Sequence, residues 1–157
     1  MGGIAKEHLP VLSKIGLESA EGVSFVDEVC FPDEWSWGEL EYRADMAAGG
    51  RAYYAGFCCG LLVGFGGGKF TDNDEFRLSV IAVEPGHRGM GIGEDLLKLL
   101  LDEAEDGGAE SAVLEVSEGL SNVCRALLNN GFEIDGYLDN HYGEGVGAHV
   151  FRADLLD

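Results

Sequence analysis

Basic residues are scarce in this chain. Ten Lys and Arg stand against 29 Asp and Glu, which gives 157 residues a formal net charge of −19 at pH 7. A surface of that sign repels phosphate backbones, which argues against nucleic acid as a partner. It repels anionic membranes for the same reason. Cations are attracted instead, amines among them. The lysines are Lys6, Lys14, Lys69 and Lys98. So few of them also suit the acidic surface of a salt-adapted host, and composition does not separate that reading from substrate attraction.

Other absences narrow the class. No apolar run reaches the length that spans a bilayer. The opening Met1-Gly-Gly-Ile-Ala-Lys-Glu-His holds no apolar h-region, so a cytoplasmic protein without a secretory leader is expected. Cys30, Cys58, Cys59 and Cys124 form no C-x-x-C pair and no zinc spacing. They read as reduced residues in or near the core, with Cys58 and Cys59 on opposite faces of a strand. His87 and His141 have no partners at ligand spacing, so no metal is expected and both read as surface residues. There is no internal repeat, linker or low-complexity tail.

What remains is ordinary globular material, 46% hydrophobic and 25% charged. The length suits one domain over 1–157. Glycine is abundant, and the cluster Gly64, Gly66, Gly67 and Gly68 predicts tight turns and loose loops. Apolar residues at helical spacing over 8–30 predict two helical pieces, divided near Gly16 and Gly22. An aromatic loop around Trp35 and Trp37 follows, then a short helix from Trp37 to Ala48. Strands are expected near 51–57 and 59–66, and most clearly over Phe76–Val83, where Pro85 stops the run. A helix from Glu94 to Asp106 carries Leu97, Leu100, Leu101 and Ala104 as its apolar stripe. A strand over Ser111–Val116, a helix over 120–130 capped by Gly131, and a closing hairpin of Phe132–Tyr142 with Gly147–Arg152 complete the order. The strand–helix–strand unit over 76–116 predicts a parallel pair in an α/β domain.

The segment richest in chemistry is Val83-Glu84-Pro85-Gly86-His87-Arg88-Gly89-Met90-Gly91-Ile92-Gly93-Glu94. A strand ends, the chain turns, and glycines open a helix. Backbone N–H groups at a helix N-terminus converge on one spot, and glycine lets an anion approach them. Arg88 adds a positive charge beside them. A pyrophosphate suits such a cradle. The spacing Gly89-x-Gly91-x-Gly93 is not the G-x-G-x-x-G that directly follows a Rossmann strand. No Lys completes a P-loop.

Arg88, Gly91 and Gly93 do fit R/Q-x-x-G-x-G/A, and Val83-Glu84-Pro85 supplies the V-x-P turn before it. On these residues the chain resembles the GNAT acyltransferase superfamily from about Phe31 to the C-terminus, and most of all its ribosomal-protein-alanine N-acetyltransferase branch. The resemblance implies a mixed, mostly antiparallel sheet in an α/β fold. A central parallel pair would be splayed at the acyl-CoA site, with helices on both faces. It implies acetyl-CoA as co-substrate. The main chain of Ile81, Ala82 and Val83 would pair with the pantetheine arm. Arg88, Gly89, Met90, Gly91, Ile92 and Gly93 would hold the pyrophosphate.

Acyl transfer requires a neutral amine, and amines with pKa values of about 8 to 10 must first lose a proton. Glu115, in Val113-Leu114-Glu115-Val116, is the candidate base, since burial in an apolar strand would raise its pKa. Pattern alone leaves an outward-facing Glu equally open, and the family's L-E-V segment favours the catalytic role. The family places an acidic Tyr four residues before Gly131-Phe132, and here that position is Leu127. The CoA-contacting Asn five residues after the Glu is Leu120, with Asn122 two residues on. The thiolate then takes its proton from water or from Tyr142, Tyr137 or Cys124, with Tyr142 taken as the catalytic candidate. Tyr142 also matches a tyrosine at the family's peptide entrance, and Trp35 and Trp37 match the opposite wall, where ordinary packing is an equal alternative.

The expected activity is acetyl transfer to a primary amine, with a protein or peptide N-terminus as first choice. A small amine such as a polyamine, amino acid or antibiotic is the second. A non-catalytic acyl-CoA-binding module is the third, kept open by Leu120 and Leu127. The expected assembly is a monomer or homodimer.

Overall fold

A computed structural model describes residues 9–141 and 145–156. The sheet has seven strands: β1 (Val11–Lys14), β2 (Arg51–Cys58), β3 (Leu61–Phe70), β4 (Glu75–Val83), β5 (Ser111–Ser117), β6 (Glu133–Leu138) and β7 (Ala148–Asp154). Their order is β1-β2-β3-β4-β5-β7-β6. β4 and β5 are the parallel pair, with register Glu75↔Ser111 to Arg77↔Val113. The pairs β1–β2, β2–β3, β5–β7 and β6–β7 are antiparallel. The helices are α1 (Ala20–Cys30), α2 (Glu39–Ala47), α3 (Ile92–Asp106) and α4 (Ser121–Asn129). The mixed, mostly antiparallel sheet expected from the sequence is the one formed. No helix among the described residues is long and apolar enough to cross a membrane.

The chain forms two compact units, Met1–Lys69 with Ser79–Asp102, and Phe70–Leu78 with Glu103–Asp157. In the first, Val23, Val26, Tyr42, Tyr53, Ala55, Phe65 and Ala82 make one buried cluster. Cys58, Val63, Ile92 and Leu96 make another. Burying each large aliphatic side chain stabilises the fold by roughly 1.5–3 kcal/mol. In the second unit the buried side chains include Phe76, Val113, Leu127, Phe132 and Phe151.

Three expectations within the first unit need correction. The apolar positions after residue 8 do not begin a helix. Val11–Lys14 is an edge strand paired with β2, and Leu9 is 48% exposed, so backbone pairing rather than a buried helical face decides the structure. A short 3-10 turn (Leu17–Ser19) leads into α1, and Gly22 lies inside that helix. The strand expected near 59–66 does not end in a loose loop at Gly67 and Gly68 either, since both belong to β3 together with Gly64 and Gly66. Their missing side chains make room for neighbours. A Cβ on Gly67 would lie 2.4 Å from the Tyr53 ring, and one on Gly66 would lie 2.9 Å from Leu100 Cδ1. Finally, Cys58 is buried at the end of β2, but Cys59 is exposed in the turn at φ 53° rather than on the strand's other face.

The helix ends follow their glycines. Gly108 (φ 89°) ends α3 and Gly131 (φ 90°) ends α4. The next residues, Ala109 and Phe132, donate their N–H back to Ala104 O and Leu127 O at 3.0 and 3.1 Å. These bonds satisfy carbonyls that the last helical turn leaves open. In α4 only Leu127 is buried, and Val123 is 42% exposed.

Candidate active site

The turn after β4 is built by backbone bonds. Glu84 donates its N–H to Val63 O at 2.8 Å, one residue past the strand. A 3-10 turn, Pro85–His87, follows. The Glu84 carboxylate pairs with His87 Nδ1 and accepts from Gly86 N–H at 3.1 Å. These two bonds, the histidine's first, hold its pKa below the ordinary value. His87, expected to stand alone at the surface, is therefore engaged in the turn. Gly89 (φ 84°) and Gly91 (φ 82°) then adopt the left-handed conformation that favours glycine. A Cβ on either would meet nothing within 4 Å, so open space lies above the loop. α3 starts at Ile92, two residues earlier than expected, and presents its N-terminal end there.

Arg88 is exposed, and its Nε donates to Val83 O at 2.9 Å. The Cys30 thiol donates to the same carbonyl at 3.4 Å, and Arg88 Nη2 reaches Cys30 Sγ at 3.7 Å. Burial pushes the Cys30 thiol up, which keeps it a donor. Ala82 is buried, while Ile81 and Val83 are half-buried. Met90 packs on the cluster that contains Ile92. A cation, two left-handed glycines and a long helix N-terminus at one turn suit an extended, phosphate-bearing ligand.

The aromatic loop between α1 and α2 hangs on one buried carboxylate. Asp27 is 3% exposed. It accepts from the Ser36 hydroxyl, from Trp37 N–H at 3.1 Å and from Tyr42 OH at 2.5 Å. The Tyr42 phenol is pushed far up by burial and by Asp27. Its ring lies 5.3 Å from Trp37 and edge-on to Phe65 at 5.6 Å. Trp35 and Trp37 remain 50% and 45% exposed. They are not buried packing between helix and sheet. A shallow cleft of about 310 Å³ beside them is lined by Ser24, Glu28, Asp33, Ser36, Trp37 and Gly38.

In the second unit Glu115 lies on β5 opposite Val150 of β7. The expectation of a carboxylate among apolar neighbours is corrected. Arg77 Nη1 donates to Glu115 Oε1 at 2.8 Å, and His141 Nε2 lies 3.0 Å from Glu115 Oε2. The glutamate side chain is 26% exposed. Two polar groups, one on each oxygen, take the place of an apolar pocket. His141 is likewise no lone surface residue. Tyr142 lies outside the described residues.

Leu127 is buried and can donate no proton, and Leu120 is 52% exposed. Asn122 is exposed as well. Tyr137 donates its hydroxyl to Glu118 at 2.7 Å, and that bond pushes the phenol's pKa up. Cys124 is half-buried, with its thiol raised by burial. No group of three or more His, Cys, Asp and Glu suited to a metal occurs among the described residues.

Sequence reasoning missed Arg77, His141 and Asp27. A signal existed for two of them. Arg77 is the charged residue inside the apolar run FRLSVIAV, and Asp27 interrupts the apolar face of α1. A charge in such a setting needs a partner. His141 carried no signal, because a turn far along the chain brings it to Glu115.

Comparison with known proteins identifies the family. The model of the Acetyltransferase (GNAT) family matches residues 22–132. N-alpha-acetyltransferase RimI of Mycobacterium tuberculosis is 29% identical over 126 residues, covering 77% of this chain and 77% of that protein. Streptothricin acetyltransferase of Streptomyces lavendulae is 30% identical over 119 residues, 75% of this chain and 62% of that one. The chain spans a smaller share still, 35%, of an uncharacterised protein of Mycobacterium leprae. Among solved structures, the ribosomal-protein-S18-alanine N-acetyltransferase of Escherichia coli superposes with a TM-score of 0.83 at 19% identity, over 94% of this chain and 95% of that one. With the family model matched across most of its length, the chain belongs to the GNAT acetyltransferase family, whose co-substrate is acetyl-CoA.

Proposed function

We propose that this enzyme moves the acetyl group of acetyl-CoA to the α-amine of a protein or peptide N-terminus, with 1–157 acting as one catalytic domain. The observation that carries the acceptor class is the open aromatic loop. Trp35 and Trp37 face solvent beside a shallow cleft instead of closing a pocket. An extended peptide suits such a surface better than a small molecule, which needs enclosure. The similarity to RimI over 77% of both chains supports the same choice.

The roles follow from the chemistry. The backbone of Ile81, Ala82 and Val83 pairs with the pantetheine arm. The turn from Arg88 through Gly89, Met90, Gly91 and Ile92 to Gly93 receives the pyrophosphate on helix N–H groups and on the guanidinium. The open space above Gly89 and Gly91 fits a ligand there. Glu115 belongs to the base that takes the ammonium proton, which frees the lone pair for attack on the thioester carbon. The C–S bond then breaks. With Leu127 in the acid position, the thiolate takes its proton from water or from Tyr142, whose place in the sequence matches the family's entrance tyrosine.

A second reading is kept for one reason. Glu28 and Asp33 line the cleft, and the streptothricin acetyltransferase is 30% identical, so a small cationic amine is the alternative acceptor. CoA-thiol release decides between them. Purified protein with acetyl-CoA is offered short peptides of varied N-terminus, polyamines and free amino acids. Turnover on peptides that collapses in Glu115→Gln is the expected result. Turnover on polyamines alone refutes the peptide reading.

A further inference from the structure

The Glu115 carboxylate has its two oxygens assigned to different partners. Oε1 accepts from Arg77 at 2.8 Å, and Oε2 meets His141 Nε2 at 3.0 Å. A guanidinium does not deprotonate at any working pH, so Arg77 occupies Oε1 permanently. A proton leaving the amine must therefore be dealt with on the Oε2 side, where the imidazole stands. Imidazole is the side chain whose ordinary titration lies between pH 5 and 8. Its partial exposure, 36% of the side chain, gives it contact with water. Glu115 buried among apolar groups would act alone, but Glu115 between a guanidinium and an imidazole resembles a carboxylate that orients a histidine base.

We infer that His141 and Glu115 form the proton-accepting pair of the transferase, with His141 taking the amine's proton and Glu115 holding the ring. This rests on the reading that Glu115 stands at the reaction centre, and deepens it. In the resting pair, Nε2–H of the neutral imidazole donates to Oε2. The ammonium gives one proton to the imidazole, and the resulting imidazolium stays paired with the carboxylate. The freed amine attacks the thioester carbon, and the C–N bond forms. The nitrogen loses its second proton, the C–S bond breaks, and the thiolate leaves. One proton ends on CoA-SH and the other passes from His141 to water, which balances the reaction.

The charged groups of the neighbouring strands have partners of their own. Arg77 comes from β4 and Glu115 from β5. Opposite them, β7 contributes Val150 facing Glu115, and Arg152 facing Val113. Arg152 is committed to Glu75, Asp135 and Ser111. The turn after β6 carries Asp139 two residues before His141.

The test is the pH profile of kcat/KM for wild type, His141→Gln, His141→Gly and Glu115→Gln. Each is assayed by thiol release on the best acceptor of the panel. The wild-type profile should show one ionisation limb in addition to the amine's own limb near pH ~8. His141→Gln should lose that additional limb and fall roughly 100-fold or more at pH 7, the usual size of a general base's contribution. The KM for acetyl-CoA should not move. Added free imidazole should restore activity to His141→Gly, an effect that a merely structural histidine would not give. If the His141 variants match wild type while Glu115→Gln collapses, the inference is wrong and Glu115 acts alone. If neither substitution matters, the reading of Glu115 as part of the base fails with it. Because His141 sits in an exposed turn, its variants should fold, and circular dichroism of each protein checks this. A loss without imidazole rescue and with the wild-type shape of the pH profile retained also overturns the inference.

Discussion

Replacing Asp27 with Ala removes one acceptor and strands three donors. The Tyr42 hydroxyl is the most costly of these, because its residue is 3% exposed. A buried donor without a partner costs about 1–3 kcal/mol. Ser36 and Trp37 lie nearer solvent, so each lost bond costs about 0.5–1.5 kcal/mol. Together these give a destabilisation of about 2 to 6 kcal/mol, a large share of the ~5–15 kcal/mol that holds a typical domain. Urea unfolding followed by tryptophan fluorescence measures it. The chain's two tryptophans are Trp35 and Trp37, both in the loop that Asp27 anchors, so emission from the folded variant also reports local loosening. The loop is also the proposed acceptor wall, so KM for the peptide should rise while KM for acetyl-CoA holds. Tyr42→Phe should cost less, because Asp27 keeps two of its donors. A loss under ~1 kcal/mol for Asp27→Ala, with unchanged emission, would refute the view that this carboxylate organises the loop.

Gly67→Ala should destabilise by about 1–3 kcal/mol, because the added methyl lies 2.4 Å from the Tyr53 ring. Gly49→Ala, with nothing within 4 Å, is the matched control and should sit close to wild type in the same thermal melts. Arg88→Ala should raise KM for acetyl-CoA about 10- to 100-fold with a small change in kcat, the size expected for losing charge-assisted bonds. An unchanged KM in steady-state assays would remove Arg88 from the pyrophosphate site. Glu84 and Glu118 both have pKa values lowered below 4.5, Glu84 by His87 and Gly86, and Glu118 by Tyr137 and Gly147. Their stabilisation is complete above the unfolded-state value and is lost as pH falls through the folded-state value. Melting temperature should therefore fall below about pH 4.5, and less steeply in a Glu84→Gln, Glu118→Gln double variant.

The elements that the sequence predicted best are those with strong periodicity and clear ends. Phe76–Val83 was bounded by Pro85, and the helix to Asp106 carried a leucine stripe and a Gly-Gly stop, so β4 and α3 fell within two residues of expectation. The spacing of Arg88, Gly91 and Gly93 named the family, because a phosphate cradle needs glycine at fixed positions, and two of the loop's glycines are left-handed. Where local pattern competed with long-range pairing, the pattern misled. Leu9, Leu12 and Ile15 are spaced like a helix face, yet pairing with β2 made the stretch from Val11 an edge strand. Gly67 and Gly68 of β3 looked like a loop, because only a tertiary contact, such as that of Gly67 with Tyr53, shows why a side chain is missing there.

Sequence by itself determined the class of the molecule, the order of its central elements, the turn that suits a pyrophosphate, and the carboxylate on β5. These depend on neighbours within a few residues, where periodicity and glycine placement suffice. Tertiary structure alone decided what surrounds that carboxylate. Arg77 and His141 lie 38 residues before and 26 after Glu115 in the numbering, and no local rule links them. Strand pairing and a turn bring both to one carboxylate, and they replace the expected apolar burial with an ion pair and an imidazole. Charge neighbours act over a few ångströms of space rather than along the chain, which is why the carboxylate could be picked out early and its partners could not.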